Sequence, residues 1–427
     1  MNRKKMLWLV TAECCLLLVL IGVGLGLYFR QEAVQTMADL TTAPTESATV
    51  TTAVPTTAPT VQTTAPATVP PTETTAETVP SETVYTLTFA GDCTLGTLYG
   101  YFGSASSFPG VVGENYDYPF AAVQDWFAND DFTMVNLEGP LSYEGSPTDK
   151  TYVMQGHPKY VNILTHGSVE CVSLANNHTM DLGQNAYDTT RTVLQDAGVA
   201  FAGDWETTLV ETERGLKIGV LCVSFYIEHE AMANRIAELK EQGAQVVIVS
   251  FHWGIEGTYH HTYDQTSYAY AAIDAGANIV FGHHPHVLQE MESYNGGMIY
   301  YSLGNFSFGG NDCPRDFDTA LISQQVIVGI DGTVRLGECT PVPCAISSVT
   351  HTNDFQPTPA EPGSSRYDRV MAKLDGSYSG GDLITYTQEE EPDETAAPET
   401  TAPETTLSPT EASTSTPDED THPAENE

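Results

Sequence analysis

Two tracts that cannot build a hydrophobic core bracket this chain and confine whatever folds to the stretch between them. Residues 31–83 and 387–427 are dominated by Thr, Pro, Ala, Val and acids, as in Thr56-Thr57-Ala58-Pro59-Thr60 and Pro398-Glu399-Thr400-Thr401-Ala402-Pro403-Glu404. Neither has an apolar period that buries a face, so both read as disordered stalks, solvated spacers open to O-glycosylation. Association of the acidic tail with a cell wall is the sharper alternative. At a polyproline-like rise of about 3.1 Å per residue, residues 31–83 reach up to roughly 160 Å. About 300 of the 427 residues remain for one sizeable globular unit. It divides into a domain at 84–346 and a C-terminal extension at 347–386, in which 366–374 has a short helical pattern.

Residues 6–29 form an almost wholly apolar run. As a helix rising about 1.5 Å per residue, it spans a hydrocarbon core of about 30 Å with some tilt. Arg3, Lys4 and Lys5 precede it. The expectation for residues 1–30 is therefore a short cytoplasmic N-terminus and a single transmembrane anchor in the cell membrane, with the bulk of the chain extracytoplasmic. Glu13 inside the run is expected to be protonated, paired or near the interface. A cleaved signal peptide is the rival reading, although no Ala-x-Ala site follows the apolar run. The formal net charge is −40; residues 1–30 carry +3, residues 31–83 carry −6 and residues 387–427 carry −13, which leaves −24 for residues 84–386. That balance argues against a nucleic-acid partner, since binding one rests on cations that neutralise phosphates.

Within the foldable stretch, apolar β-rich runs recur at 84–90, 132–137, 171–174, 199–202, 217–225, 246–252, 279–282 and 298–303. Helical patterns separate them at 119–129, 184–197, 230–242 and 262–275; the first places Phe120, Val123, Trp126 and Phe127 on one face behind Pro119. After Leu303 the helices stop, and runs at 319–330 and 333–339 flank Asp331-Gly332, a hairpin signal. β-α units followed by an antiparallel piece predict a layered α/β domain with a mixed sheet or sheets, its sites at the carboxyl ends of the strands.

Polar residues gather at those strand ends. Gly91-Asp92, Asn136-Leu137-Glu138-Gly139, Asn176-Asn177-His178, His252-Trp253-Gly254 and Gly282-His283-His284-Pro285-His286 each terminate an apolar run. Carboxylate oxygen, amide oxygen and neutral imidazole together suit divalent ions such as Mn, Fe, Zn or Mg. Each element alone is an ordinary turn or a satisfied polar residue. Five of them in the same strand-end position predict a metal site with ligands enough for one or two ions.

The runs FAGDCTLG, VNLEGPLS, LANNHTMDLG, FHWGIEG, GHHPHVLQ and YSLGNFSFGG, in this order over residues 85–309, resemble the CapA (PgsA) family of poly-γ-glutamate capsule synthesis proteins. That family looks like a branch of the calcineurin-like metallophosphoesterases. The resemblance implies a four-layer α/β/β/α sandwich, with Asp92, Glu138, Asn177, His252, His284 and His286 as metal ligands and His178 as the acid or charge stabiliser. Asn136 and Asn176 sit beside these. His283 reads as the variable member of its motif, and Asn305 as a rim residue or simply part of a turn. The sequence departs from the phosphoesterase pattern at Asp92-Cys93-Thr94, which lacks the usual Asp-x-His, and at Glu138, which replaces an Asp.

The resemblance implies a role in making, exporting or anchoring poly-γ-glutamate or a related anionic surface polymer, in contact with the membrane and with membrane synthase subunits. Its chemistry would be that of a metal-dependent hydrolase, acting on a phosphate ester, or on an amide during polymer processing. The alternative is a non-catalytic polymer-binding scaffold. Because the domain is itself acidic, a divalent cation is the expected bridge to an anionic ligand. Glu256 is a candidate support for His252, and Tyr259, His260, His261, Tyr263 and Asp264 form a polar aromatic patch open to substrate or merely to solvent. Cys171 and Cys222 lie in apolar strands and are expected to be inert. Cys313 with Cys339 or Cys344 is a candidate disulfide, and Cys93 lacks the histidine context of a nucleophile.

Overall fold

The computed structural model describes residues 82–383. The anchor segment at 6–29 and both stalks lie outside them, apart from the last residues of the first. No helix among the described residues is long and apolar enough to cross a membrane.

The fold is mixed α/β with several sheets. One eight-stranded sheet runs in the order β16 (Thr358–Pro359), β15 (Val334–Ala345), β14 (Asp318–Val328), β1 (Thr83–Thr94), β3 (Phe132–Leu137), β5 (Cys171–Ser173) and β6 (Ala200–Ala202), with β13 (Asn305–Phe308) also pairing β1. A six-stranded sheet runs β11 (Met291–Tyr294), β12 (Gly297–Tyr300), β10 (Ile279–His283), β9 (Val246–His252), β8 (Lys217–Ser224) and β7 (Thr207–Glu211). A short pair joins β2 (Thr97–Leu98) to β4 (Met154–Gln155). Seven α-helices and a 3-10 helix at Pro158–Tyr160 complete the described elements: α1 (Phe108–Val112), α2 (Gln124–Phe127), α3 (Val161–His166), α4 (Gln184–Ala197), α5 (His229–Glu241), α6 (Tyr263–Asp274) and α7 (Ser365–Leu374).

Alternation along the strands divides the core. In β8, Ile218, Val220 and Cys222 join a cluster with Leu87 and Phe89 of β1, Met134 of β3 and Ile279 and Phe281 of β10. Leu221 and Val223 point the other way, toward Met232 and Ile236 of α5 and Ala269 and Ile273 of α6. A third cluster gathers Val135 and Leu137 of β3 with Phe120, Phe127, Ile163 and Leu194. Fully burying each such side chain stabilises the fold by roughly 1.5–3 kcal/mol.

Most elements fall where the pattern puts them, and the differences have local causes. The helix expected over 119–129 shrinks to α2: residue 123 sits at φ −120° with no side-chain cap, and a segment this short gains little from helix propagation. Phe120, Val123 and Phe127 are nevertheless buried, delivered by consecutive turns. Strand β1 continues four residues past the expected end because β13 pairs with it in parallel at Asp92↔Asn305. All six described cysteines are free: Cys313 is in an exposed loop while Cys344 is buried within β15, so the expected bridge from Cys313 is not formed. Cys171 and Cys222 are buried together in the core.

The segment 347–383 contributes β16 and α7, with Val370 and Leu374 fully buried against the inter-strand cluster. Lys373, also buried, reaches Asp316 at 2.7 Å and Asp318 at 2.8 Å, and Arg369 grips Asp318 through two bonds of 2.6 Å. Although burial opposes its ionisation, Arg369 and Lys373 hold the Asp318 carboxyl below its usual range.

At the opposite ends of β3 and β5, Glu170 accepts from the Thr133 amide at 2.7 Å. Burial pushes its carboxyl up to about 7, the Thr133 bond opposing and Asp130 adding; burial likewise pushes Asp130 up to about 6. A carboxyl raised in the fold stabilises it below the unfolded pKa and loses that contribution as pH climbs through the folded one. Glu170→Gln is therefore expected to gain stability relative to the parent, on the order of 1 kcal/mol after allowance for partial exposure, on going from pH 5 to pH 8. Thermal unfolding of both proteins across that range checks this, and parallel pH profiles would refute it.

Candidate metal centre

Parallel pairing sets the strand ends level. Asp92 pairs with Asn136, and Asn136 with Ser173, in one sheet; His283 pairs with His252 in the other. Two glycines make the approach possible. A Cβ on Gly91 would lie 2.0 Å from the Gly304 carbonyl oxygen, and one on Gly282 would lie 2.1 Å from that of Tyr301. The Gly-Asp and Gly-His-His sequences are thus a packing requirement and a chemical one at once. The loop after β10 is strained: His284 sits at φ +96° and His286 at +56°, a region non-glycine residues avoid unless their surroundings enforce it.

The groups converge on Asp92, which is fully buried. Its carboxylate lies 3.0 Å from His283 Nδ1 and 3.4 Å from His286 Nδ1, and accepts from Asn136 Nδ2 at 2.9 Å. Glu138 Oε1 stands 3.6 Å from His252 Nε2 and 3.8 Å from His286 Nε2. His252 Nε2 also meets Asn177 Oδ1 at 2.9 Å, and Asn305 Oδ1 meets His286 Nδ1 at 2.8 Å. One ligand atom from each of Asp92, Glu138 and His286 lies within 4.8 Å of the other two, and Glu256, His284 and His286 form a second such group.

These residues fit a divalent cation. Asp92 Oδ2, both oxygens of Glu138, both ring nitrogens of His283 and Nδ1 of His284 are buried without a hydrogen-bond partner among the described residues. The 3.0 Å approach of His283 to Asp92 is too poorly angled to count as one. Buried oxygens and imidazoles left this way cost free energy unless something else binds them. Electrostatics point the same way. Burial disfavours ionised Asp92, yet His283 and His286 hold its carboxyl well below the usual range. Burial pushes Glu138 up to about 7, with His286 opposing and Asp92 adding. Burial and the neighbouring His286 lower His284 to about 4, while burial followed by His284 drives His252 well below its ordinary value. Both shifts favour the neutral ring, the form that has a lone pair to give. His286 is the exception: the Glu138 and Asp92 carboxylates outweigh burial and raise it to about 10.

His178 belongs to the same structure through a chain of amides. Asn176 donates to Asn136 Oδ1 at 3.1 Å and to the Leu137 carbonyl at 2.9 Å, and its own Oδ1 accepts from the His178 amide. The His178 ring is fixed by Asp181, with Nδ1 to Oδ2 at 2.6 Å. Asp181 is anchored in turn by Lys150 at 2.9 Å and the Met154 amide at 2.6 Å. Nε2 is left as the ring nitrogen able to act in a cleft of about 310 Å³ that His178 lines with Glu256, His286, Asn305 and Arg315.

Asp92, Glu138 and His286 are therefore together, with His252 and Asn177 adjoining and His284 in the second group. His283, read as variable, lies against Asp92. Glu256, read as support for His252, faces His284 and His286 instead. Thr94, at the position where the phosphoesterase pattern has a histidine, buries a hydroxyl with no partner. Cys93 is buried and its thiol is pushed up to about 12 by burial, which removes it as a nucleophile. Two members of the aromatic patch are structural, since Tyr259 donates to Asp316 at 2.9 Å and His261 stacks on Tyr301 while binding Glu290, whereas Tyr263 is 84% exposed. Lys150 and Arg315 join the site without a motif that marks them for it, while Asp181 lies within the run LANNHTMDLG, whose Asn-His pair belongs to the site. For Asp181 the available signal is its place three residues after His178.

A family model described as bacterial capsule synthesis protein PGA_cap matches residues 86–310. The chain is 28% identical over 319 residues to a protein of Bacillus subtilis (strain 168) named PGA biosynthesis protein CapA, covering 69% of this chain and 78% of that one. It is 28% identical over 235 residues to the capsule biosynthesis protein CapA of Bacillus anthracis, covering 48% and 57% respectively. Among solved structures, the NAD nucleotidase of Haemophilus influenzae overlaps 70% of this chain and 63% of its own, at 10% identity and a TM-score of 0.35, an overlap too slight to bear on the fold.

Elemental analysis of the purified full chain is expected to find near-stoichiometric divalent metal. Asp92→Ala and His286→Ala should lose most of it, while Cys93→Ser keeps it. Equal metal content in all four proteins would place the ion elsewhere.

Proposed function

The chain belongs to the bacterial capsule synthesis protein PGA_cap family, and from that membership we propose that it works outside the cell in the synthesis, export or anchoring of poly-γ-glutamate or a related anionic surface polymer. In this reading residues 6–29 tether it to the membrane, and residues 31–83 hold the domain away from the lipid beside membrane synthase subunits. The name of the Bacillus subtilis relative supports the polymer, and that of the Bacillus anthracis relative supports the capsule. The three core clusters support a four-layer α/β/β/α arrangement of metallophosphoesterase type, with helices outside two facing sheets.

The observation that carries a catalytic role is a pair of buried carboxylates with oxygens that lack a hydrogen-bond partner, Asp92 Oδ2 and both oxygens of Glu138, beside five histidines at one end of two sheets. Asp92, Glu138 and His286 would hold one divalent ion of the Mn, Fe, Zn or Mg class, with His284 and Glu256 serving a neighbouring position. When bound, such an ion supplies Lewis-acid polarisation of a phosphoryl or carbonyl oxygen. The chain's own contribution is positional. Asp181 and Lys150 fix the His178 ring, so that Nε2 delivers a proton to the leaving group or stabilises charge growing in the cleft. Asn136 and Asn176 hold the Asp92 carboxylate and the His178 backbone in one frame. The buried walls, among them Phe308 and Val287, exclude water on one side.

Thr94 favours a second reading. Where the phosphoesterase pattern has a histidine, this chain offers only a hydroxyl, so a site that binds metal and polymer without turning it over is the alternative: a scaffold subunit of a membrane synthase.

The test uses the full chain in detergent with γ-glutamate oligomers and a phosphodiester as substrates. His178→Gln should lower turnover about 100-fold or more, with metal content unchanged, and Asp181→Asn should lower it less. Turnover indifferent to His178 would remove the proposed acid. Polymer binding without turnover of either substrate, in metal-loaded protein, would establish the scaffold.

A further inference from the structure

The domain is strongly acidic, and its cations are almost all committed. Ten of the twelve Lys and Arg side chains among the described residues stand within 4.0 Å of a carboxylate. The two that do not are Lys240, exposed at the end of α5, and Arg315, exposed at the wall of the cleft that His178 and His286 line. Arg315 is presented on a rigid support. Pro314 before it is buried. Asp316 after it is held by Tyr259 at 2.9 Å and by Lys373 at 2.7 Å, which turns that carboxylate toward α7 and leaves the guanidinium without the neighbour that would neutralise it. Glu256 is the other acid on the cleft, and it is grouped with His284 and His286.

We propose that Arg315 receives an oxyanion of the substrate, fixing a carboxylate-bearing unit of the polymer, or a phosphate, beside His178 and His286. The carboxylate assignment rests on the polymer reading above; the need for an oxyanion does not. A planar guanidinium binds carboxylate or phosphate through two parallel bonds, and with most other cations paired it is the local feature that draws an anion into an acidic domain. The guanidinium thereby orients the chain and selects for charge, while the bond to be cleaved or held lies at the metal centre.

The experiment is calorimetric titration of the metal-loaded full chain with a γ-glutamate decamer, its methyl ester and tripolyphosphate, using the parent, Arg315→Ala, Arg315→Lys and Lys240→Ala. The free-acid decamer should bind Arg315→Ala on the order of tenfold more weakly than the parent, with Arg315→Lys between them. Lys240→Ala removes the same charge from the surface and should bind as the parent does, and the methyl ester should bind all four proteins alike. Unchanged decamer affinity in Arg315→Ala, with metal retained, overturns the role of Arg315 and leaves the polymer reading standing. Arg315-dependent binding of tripolyphosphate by a protein that ignores the decamer supports the oxyanion role and overturns the polymer. Equal weakening by Arg315→Ala and Lys240→Ala would mean that only net charge matters, and overturns the proposal.

Discussion

Asp92 is a carboxylate buried where two sheets end, and the rest of the structure answers to it. A charge in that position is costly unless opposite charge and hydrogen bonds surround it. The fold supplies them from two sequence-distant places: His283 at the end of β10 with His286 just after it, and Asn136 near the end of β3. Glu138 has fewer such partners, and both its oxygens are unpartnered. An arrangement that spends buried polar groups so freely on one point is unstable as packing alone. It becomes intelligible as a binding site, in which a cation satisfies the oxygens that the protein does not.

The wall of the cleft depends on a second buried electrostatic unit. Asp318 opens β14 with Asp316 two residues before it, and α7 returns from near the end of the described residues to grip them through Arg369 and Lys373. Lys373 Nζ also stands 4.6 Å over the Tyr259 ring. Helix α7 is thus more than an appendage: it buries Val370 and Leu374 in the core and fixes the stretch that carries Arg315. A cluster of this kind is weak evidence of stability, because desolvation offsets much of the Coulomb gain. Its clearer effect is to fix which way Asp316 and its neighbour face.

Much of this was legible in the sequence, because strand ends announce themselves by a change from apolar to polar residues. The β-rich runs at 132–137 and 246–252 coincide with β3 and β9, and the helical pattern at 184–197 with α4. Parallel register, which the alternation of strands and helices implies, sets Asp92 level with Asn136 in one sheet and His252 level with His283 in the other. The features that stayed hidden depend on contacts without a periodic signature. The parallel pairing of β13 with β1 involves four residues whose partner is two hundred positions away. Asp181 serves His178 through a turn, not through a repeat. Arg315 stands out only by subtraction, once the partners of the other cations are known. The role of α7 is hidden for the same reason, since by sequence Lys373 is an ordinary surface lysine.

The charge distribution ties these observations together. An acidic domain of −24 beside a tail of −13 repels polyanions at long range, although physiological salt limits that repulsion to about 8 Å. Within that distance only local features matter. Asp92 and Glu138 are themselves negative or poised to be, so without a cation the cleft would add to the repulsion. With one bound, their charge would be offset, and Arg315, exposed at the cleft, would be the cation an anion meets there. The same oxygens that orphan the apo site therefore set its sign. If the site takes up a divalent ion as proposed, the pocket would change from repelling an anion to attracting one, and capture of an anionic chain would be coupled to the ion.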